Sequence, residues 1–204
     1  MLDLVRAWLF PSACAGCDAL GPGLCARCAP TLHDAIDFEV DGIPAFALGA
    51  YDGPLRRAIV ALKHGERDPL EPLAELLAAR APVIGALVPL STSWSRSAER
   101  GFDQSVELAR RIARRRGLTC AEPLHKHGAA QDGRSRAARL RATGRFRLDA
   151  RVELPAIVTL LDDVCTTGAT ASDAVRTLAT AGVAVRRLVF VARTAPDRHT
   201  TATP

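Results

Sequence analysis

Residues 156–175 read AIVTLLDDVCTTGATASDAV, and this stretch decides the fold. Six residues, Ala156 to Leu161, form a branched, apolar run of the kind found in a strand buried on both faces. Two adjacent carboxylates, Asp162 and Asp163, follow it. Thr166, Thr167, Gly168, Ala169 and Thr170 then make a small, hydroxyl-rich turn. The following TASDAVRTLATAG is a helix with Ala171, Ala174, Val175, Leu178 and Ala179 expected to face inward. A strand, a glycine-centred turn and a helix in that order make one unit of a doubly wound sheet, in which ligands bind beyond the carboxyl ends of the strands.

The chemistry of the turn can be argued group by group. Gly168 lets the backbone approach a ligand closely. The first amides of the helix, with the helix dipole, attract a phosphate, and Thr167 and Thr170 add hydroxyl donors. Asp162 and Asp163 would repel that phosphate if they touched it. They suit sugar hydroxyls, which donate, or a hydrated magnesium ion. Phosphate at one end and a diol at the other describe a ribose 5-phosphate.

Other segments continue the alternation. AFALGAY from Ala45 reads as a strand. Pro54 opens a helix whose inner face is Leu55, Ala58, Ile59 and Leu62 and which Gly65 ends. EPLAELLAARA is a second helix, and VIGALVPL is a buried strand ending at Ser91. QSVELARRIARRRG is an amphipathic helix with Leu108, Ala109, Ile112 and Ala113 inside and Gly117 as its stop. FRL and VAVRRLVFVAR are strands. Residues 125–145 are polar and basic without an apolar period, and read as a long loop or a partly helical lid. The expected fold class is α/β, a mostly parallel sheet flanked by helices.

The first thirty residues differ in character. Cys14, Cys17, Cys25 and Cys28 form two C-x-x-C pairs joined by seven residues, while Cys120 and Cys165 stand alone. Two such knuckles bring four thiolates together in the tetrahedral arrangement zinc favours, with no position left open for catalysis. The division expected is residues 1–44 for a segment carrying a structural zinc knuckle and residues 45–204 for the main domain. With 204 residues and 48% hydrophobic content, the chain can build one sizeable core. No window has the roughly 18 apolar residues of a membrane span, and the expected location is cytoplasmic. A net charge of +5 suits phosphorylated or polyanionic partners.

LLDDVCTTGAT resembles the phosphoribosyl pyrophosphate motif of type I phosphoribosyltransferases. The order of cysteine knuckles, LKHG, VPL, ERGFDQ and then the DDV motif, over residues 10–193, resembles the ComF family of competence-protein or amidophosphoribosyltransferase-like chains. The resemblance implies a type I phosphoribosyltransferase fold with an N-terminal zinc finger. It implies that Asp162 and Asp163 hold the ribose hydroxyls and that residues 166–170 hold the 5-phosphate. Ser91, Arg96 and Arg100 would lie at the pyrophosphate loop, Lys63 would be an anion ligand, and Gln131, Arg136 and Arg139 would belong to a hood over the substrate. Magnesium would accompany the phosphoribosyl pyrophosphate. Three roles follow: transfer of phosphoribose to or from a nitrogenous acceptor, DNA uptake with single-stranded DNA and a helicase-like partner, or sensing of the ligand without turnover. The basic stripe at residues 110–116 offers phosphate contacts to nucleic acid, whereas 4% aromatic content leaves few stacking platforms. Two positions depart from the family pattern. Asp103 stands where RGFNQ has asparagine, and Ala142 stands where an asparagine precedes the stretch shortened here to TGRF.

Overall fold

The computed structural model describes residues 12–90, 101–126, 144–149 and 151–195. Its strands and helices, in chain order, are β1 (Ile36–Val40), β2 (Ile43–Ala50), α1 (Gly53–Lys63), α2 (Leu70–Arg80), β3 (Ala86–Pro89), α3 (Gln104–Arg116), β4 (Leu124–Lys126), β5 (Phe146–Leu148), β6 (Ile157–Cys165), α4 (Ala169–Ala179) and β7 (Ala184–Arg193). Five strands form the central sheet in the order β1-β2-β7-β6-β3. The β2–β7, β7–β6 and β6–β3 pairs are parallel, and β1 is antiparallel to β2. The expected α/β class is therefore observed, with one antiparallel edge strand.

That edge strand is new relative to the sequence reading. β1 and β2 are joined by Asp41 and Gly42, both with positive φ (50° and 76°), the geometry of a two-residue hairpin turn. β2 begins at Ile43, so the division placed between residues 44 and 45 falls inside a strand of the sheet. β4 and β5 form a separate antiparallel pair, and His125 and Lys126, the first residues of the expected loop, are thus strand.

The helices take the expected positions. Pro54 opens α1, and Leu55, Ala58, Ile59 and Leu62 are buried. Leu108, Ala109, Ile112 and Ala113 of α3 are buried, and Gly117 closes it in the left-handed region at φ 63°. In α4, Ala171, Ala174 and Leu178 are buried as expected, but Ala179 is exposed and Asp173 is buried instead. Two apolar layers cover the sheet. One holds α1, α2 and α3 against Leu48, Leu87, Leu161 and Val191. The other holds α4 and the β4–β5 pair against Val88, Leu160, Leu188 and Phe190. Among the described residues no helix is long and apolar enough to cross a membrane.

The cysteine knuckles pack into the first layer. Cys14 is fully buried and Leu24 is nearly so, and both belong to the apolar cluster of α1 and α2. Gly23 lies so close to the α1–α2 connection that a Cβ there would sit 2.1 Å from the carbonyl carbon of Asp68. The Arg57 guanidinium donates to the Gly16 carbonyl, and Arg80 Nη1 donates to the Pro30 carbonyl at 2.6 Å.

Candidate functional site

The helices that follow β3 and β6 lie on opposite layers, α3 with the first and α4 with the second. Neighbouring parallel strands whose connections diverge in this way open a crevice at their carboxyl ends. β6 extends beyond its partner there. Its pairing with β3 ends at Leu161 opposite Pro89, while its pairing with β7 continues through Asp162 and Val164 to Cys165. Asp162 and Asp163 therefore belong to the strand itself, but stand past the end of β3.

The turn after β6 is shaped for a close approach. Gly168 has φ 77° and precedes α4 as its N-cap, and Thr167 Oγ1 accepts from the Ala169 N–H at 3.4 Å. A Cβ at Gly168 would lie 2.6 Å from Val40 Cγ1 of the edge hairpin, so both dihedral and space require glycine. The first turn of α4 carries no acidic residue. Thr166, Thr167 and Ala169 are exposed, and Thr170 is half-buried. Thr170 Oγ1 is 3.2 Å from Nη1 of Arg145, whose backbone N–H donates to Asp173. A glycine N-cap with no side chain of its own, nearby hydroxyls and no carboxylate in the first turn are the features that accept an anion.

The acid pair is held by Lys63 and by two residues, Gln104 and Ser105, that the sequence reading had not assigned. Lys63 Nζ, at the end of α1, lies 3.1 Å from Asp163 Oδ2. Gln104 Nε2 donates to the same oxygen at 2.9 Å. Ser105 Oγ donates to Asp162 Oδ1 at 3.2 Å. Lys63 was expected to meet an anion ligand; here it meets the carboxylate of the chain itself. Gln104 and Ser105 are buried polar residues at the start of an otherwise apolar helix face, and that burial is the signal that marks them. Burial, and then the charge of Asp163, push the Asp162 carboxyl up to about 8, with the Asp163 N–H and then Lys126 pulling the other way. Asp103 has a distinct task. Its Oδ1 accepts from Ser105 N and Val106 N at 3.0 and 3.2 Å, an N-cap on α3, for which aspartate serves as well as asparagine.

Some expected residues fall elsewhere. Ser91, Arg96, Arg100, Gln131, Arg136 and Arg139 lie outside the described residues. Four of the five α3 arginines are engaged in the fold. Arg110 pairs with Glu122 at 2.7 Å, Arg111 with Glu71 and Glu107, and Arg115 with Glu71. Arg116 donates to the Ala81 carbonyl. These contacts tie α3 to α2 and offset the stripe's charge. Burial raises the pKa of the Cys165 thiol, as fits a packed side chain rather than a nucleophile. His125 stands at the surface, 3.5 Å from Asp149.

The four cysteines converge. The Sγ atoms of Cys14, Cys17, Cys25 and Cys28 all lie within 4.8 Å of one another, and those of Cys17 and Cys25 are 3.8 Å apart. Four thiolates on a tetrahedral zinc at the usual bond length stand about 3.8 Å apart. Both knuckles use the same backbone turn: Cys17 and Asp18 N–H groups donate to the Cys14 carbonyl, and Cys28 and Ala29 N–H groups donate to the Cys25 carbonyl. Gly16 N and Cys25 N donate to Cys14 Sγ, the kind of outer hydrogen bond that steadies a metal-bound thiolate. All four thiols are free of disulfides. The set can hold a zinc ion.

No protein-family model matches the chain, and no curated protein matches it at a significant level. Among solved structures it is similar to an orotate phosphoribosyltransferase from Aeropyrum pernix, with 15% sequence identity and a TM-score of 0.43, over 80% of this chain and 78% of that chain.

Proposed function

We propose that the chain is a type I phosphoribosyltransferase-like protein of the ComF kind, binding phosphoribosyl pyrophosphate at the crevice between β3 and β6. One observation carries the reading. Asp162 and Asp163 stand at the carboxyl end of β6, shortly before a helix start whose turn is fixed by Gly168 and Val40. The α4 amides with Thr167 and Thr170 take the 5-phosphate, and the acid pair takes the ribose hydroxyls. Ser91, Arg96 and Arg100, outside the described residues, supply donors and charge to the pyrophosphate end.

Magnesium accompanies the pyrophosphate. Two carboxylates fall short of a protein cage for it, which suits an ion that keeps most of its water and binds mainly through substrate phosphates. In transfer, the bond from carbon 1 to pyrophosphate breaks and a nitrogen acceptor attacks the oxocarbenium-like centre. This chain contributes positioning and charge, with no covalent nucleophile. The cysteine cluster holds a structural zinc that anchors residues 12–29 to α1 and α2. The alternative role in DNA uptake, with single-stranded DNA and a helicase-like partner, draws on the basic segment containing Arg136 and Arg139. The α3 stripe adds little to it, because Glu71, Glu107 and Glu122 already pair with its arginines.

Thermal unfolding tests the ligand. Phosphoribosyl pyrophosphate with magnesium should raise the melting temperature in a concentration-dependent way, because only the folded site binds it. The rise should vanish in Gly168→Val. An unchanged melting temperature at millimolar ligand contradicts the reading.

A further inference from the structure

The acid pair is not symmetric. Gln104 and Ser105 open α3 at 1% and 0% exposure, and each directs a donor to a different carboxylate. A buried polar side chain is costly unless its donors are matched, so these two bonds fix the rotamers of all four residues. Asp163 has both oxygens occupied. Its Oδ2 takes Lys63 Nζ and Gln104 Nε2, and its Oδ1 accepts from Val164 N at 2.7 Å. Asp162 Oδ1 accepts from Ser105 Oγ and from Asp163 N at 2.9 Å. Asp162 Oδ2 accepts no hydrogen bond among the described residues.

We propose that Lys63, Gln104 and Ser105 are positioning residues that commit Asp163 to the scaffold and turn Asp162 so that its Oδ2 is the atom that hydrogen-bonds a sugar hydroxyl. This rests on the sugar-phosphate reading above and divides the labour within it. Asp163 anchors the ends of α1 and α3 to β6, and Asp162 reads the diol. It also explains why LKHG and GFDQS, far apart in sequence, converge on the DDV motif: each contributes a donor to one carboxylate pair. Asp103 caps α3 through Ser105 N and Val106 N, which sets the first turn from which Gln104 and Ser105 project.

The test separates the sugar end from the phosphate end. Ribose 5-phosphate and inorganic phosphate are titrated calorimetrically into the full chain, as wild type, Ser105→Ala, Ser105→Thr and Lys63→Met, with folding checked by circular dichroism. Ser105→Ala and Lys63→Met should each weaken ribose 5-phosphate by about tenfold, the worth of one hydrogen bond, and leave inorganic phosphate within about twofold. Ser105→Thr should restore most of the sugar affinity. Should Ser105→Ala fail to fold, Lys63→Met carries the comparison, since Lys63 is one-third exposed. Wild type that binds ribose 5-phosphate, with variants that bind it equally well or lose both ligands in parallel, overturns the positioning inference alone. Wild type that binds neither overturns the sugar-phosphate reading and the inference with it.

Discussion

Lys63, the last residue of α1, places its Nζ 3.1 Å from Asp163 Oδ2 on β6, one hundred residues later in the chain. The contact is only partly screened, with Asp163 15% and Lys63 33% exposed. Lys63→Met leaves Asp163 Oδ2 with Gln104 alone. After allowance for solvent, the expected loss is about 1 kcal/mol of unfolding free energy. A urea-denaturation cycle with Asp163→Asn checks it. The double variant should lose less than the sum of the single losses, and strict additivity would show that the pair is not coupled.

Gly168→Ala tests the turn. The substitution forces an L-residue to φ 77° and drives a methyl group to 2.6 Å from Val40 Cγ1. Destabilisation of about 1–3 kcal/mol is expected, read as a drop in melting temperature. Val40→Ala in the same chain should recover the steric share and leave the backbone share. No recovery would mean that Val40 does not bound the turn.

The cysteine cluster should be integral to the fold. Cys14 and Leu24 belong to the core of α1 and α2, so removing the metal loosens more than residues 12–29. The purified protein should contain about one zinc per chain by elemental analysis. A chelator, or Cys17→Ser, should lower the melting temperature of the whole domain. A metal-free protein that melts unchanged would rule out the structural zinc.

Asp162 gives a pH dependence with a definite sign. Its carboxyl is raised to about 8 in the fold by burial and by Asp163, against about 3.9 in an unfolded chain. Between those values the folded state holds the extra proton. The contribution is therefore complete below about pH 4 and is lost as pH rises through 8, with a slope of up to about 1.4 kcal/mol per unit. Asp162→Asn should flatten the fall in stability between pH 5 and 8. An identical profile for wild type and variant would show that Asp162 is not the titrating group.

Much of the fold was legible because its elements are strongly periodic. The inward faces of α1 and α3 follow directly from the spacing of Leu55, Ala58, Ile59 and Leu62 and of Leu108, Ala109, Ile112 and Ala113. β1 was missed although Ile36, Phe38 and Val40 alternate with Asp37 and Glu39 before the Asp41–Gly42 turn; its edge position and polar alternate residues hid it behind the cysteine segment. β4 and β5 are three residues each, too short for a period to show. The cysteine cluster was readable because ligand spacing is local. The supports of the acid pair were not, because Lys63, Gln104 and Ser105 reach Asp162 and Asp163 only through the tertiary packing of α1 and α3 on β6. A lysine at a helix end and a polar helix start each have an ordinary local explanation, and only their tertiary contacts separate them from it.

Calorimetric titration of phosphoribosyl pyrophosphate with magnesium into the zinc-loaded protein, as wild type and as Asp162→Asn/Asp163→Asn, tests the central claim most directly. The account predicts micromolar binding, about −8 kcal/mol, that is lost in the double variant while the fold persists. A folded wild type that takes up no ligand, or a double variant that binds as tightly as wild type, would contradict it.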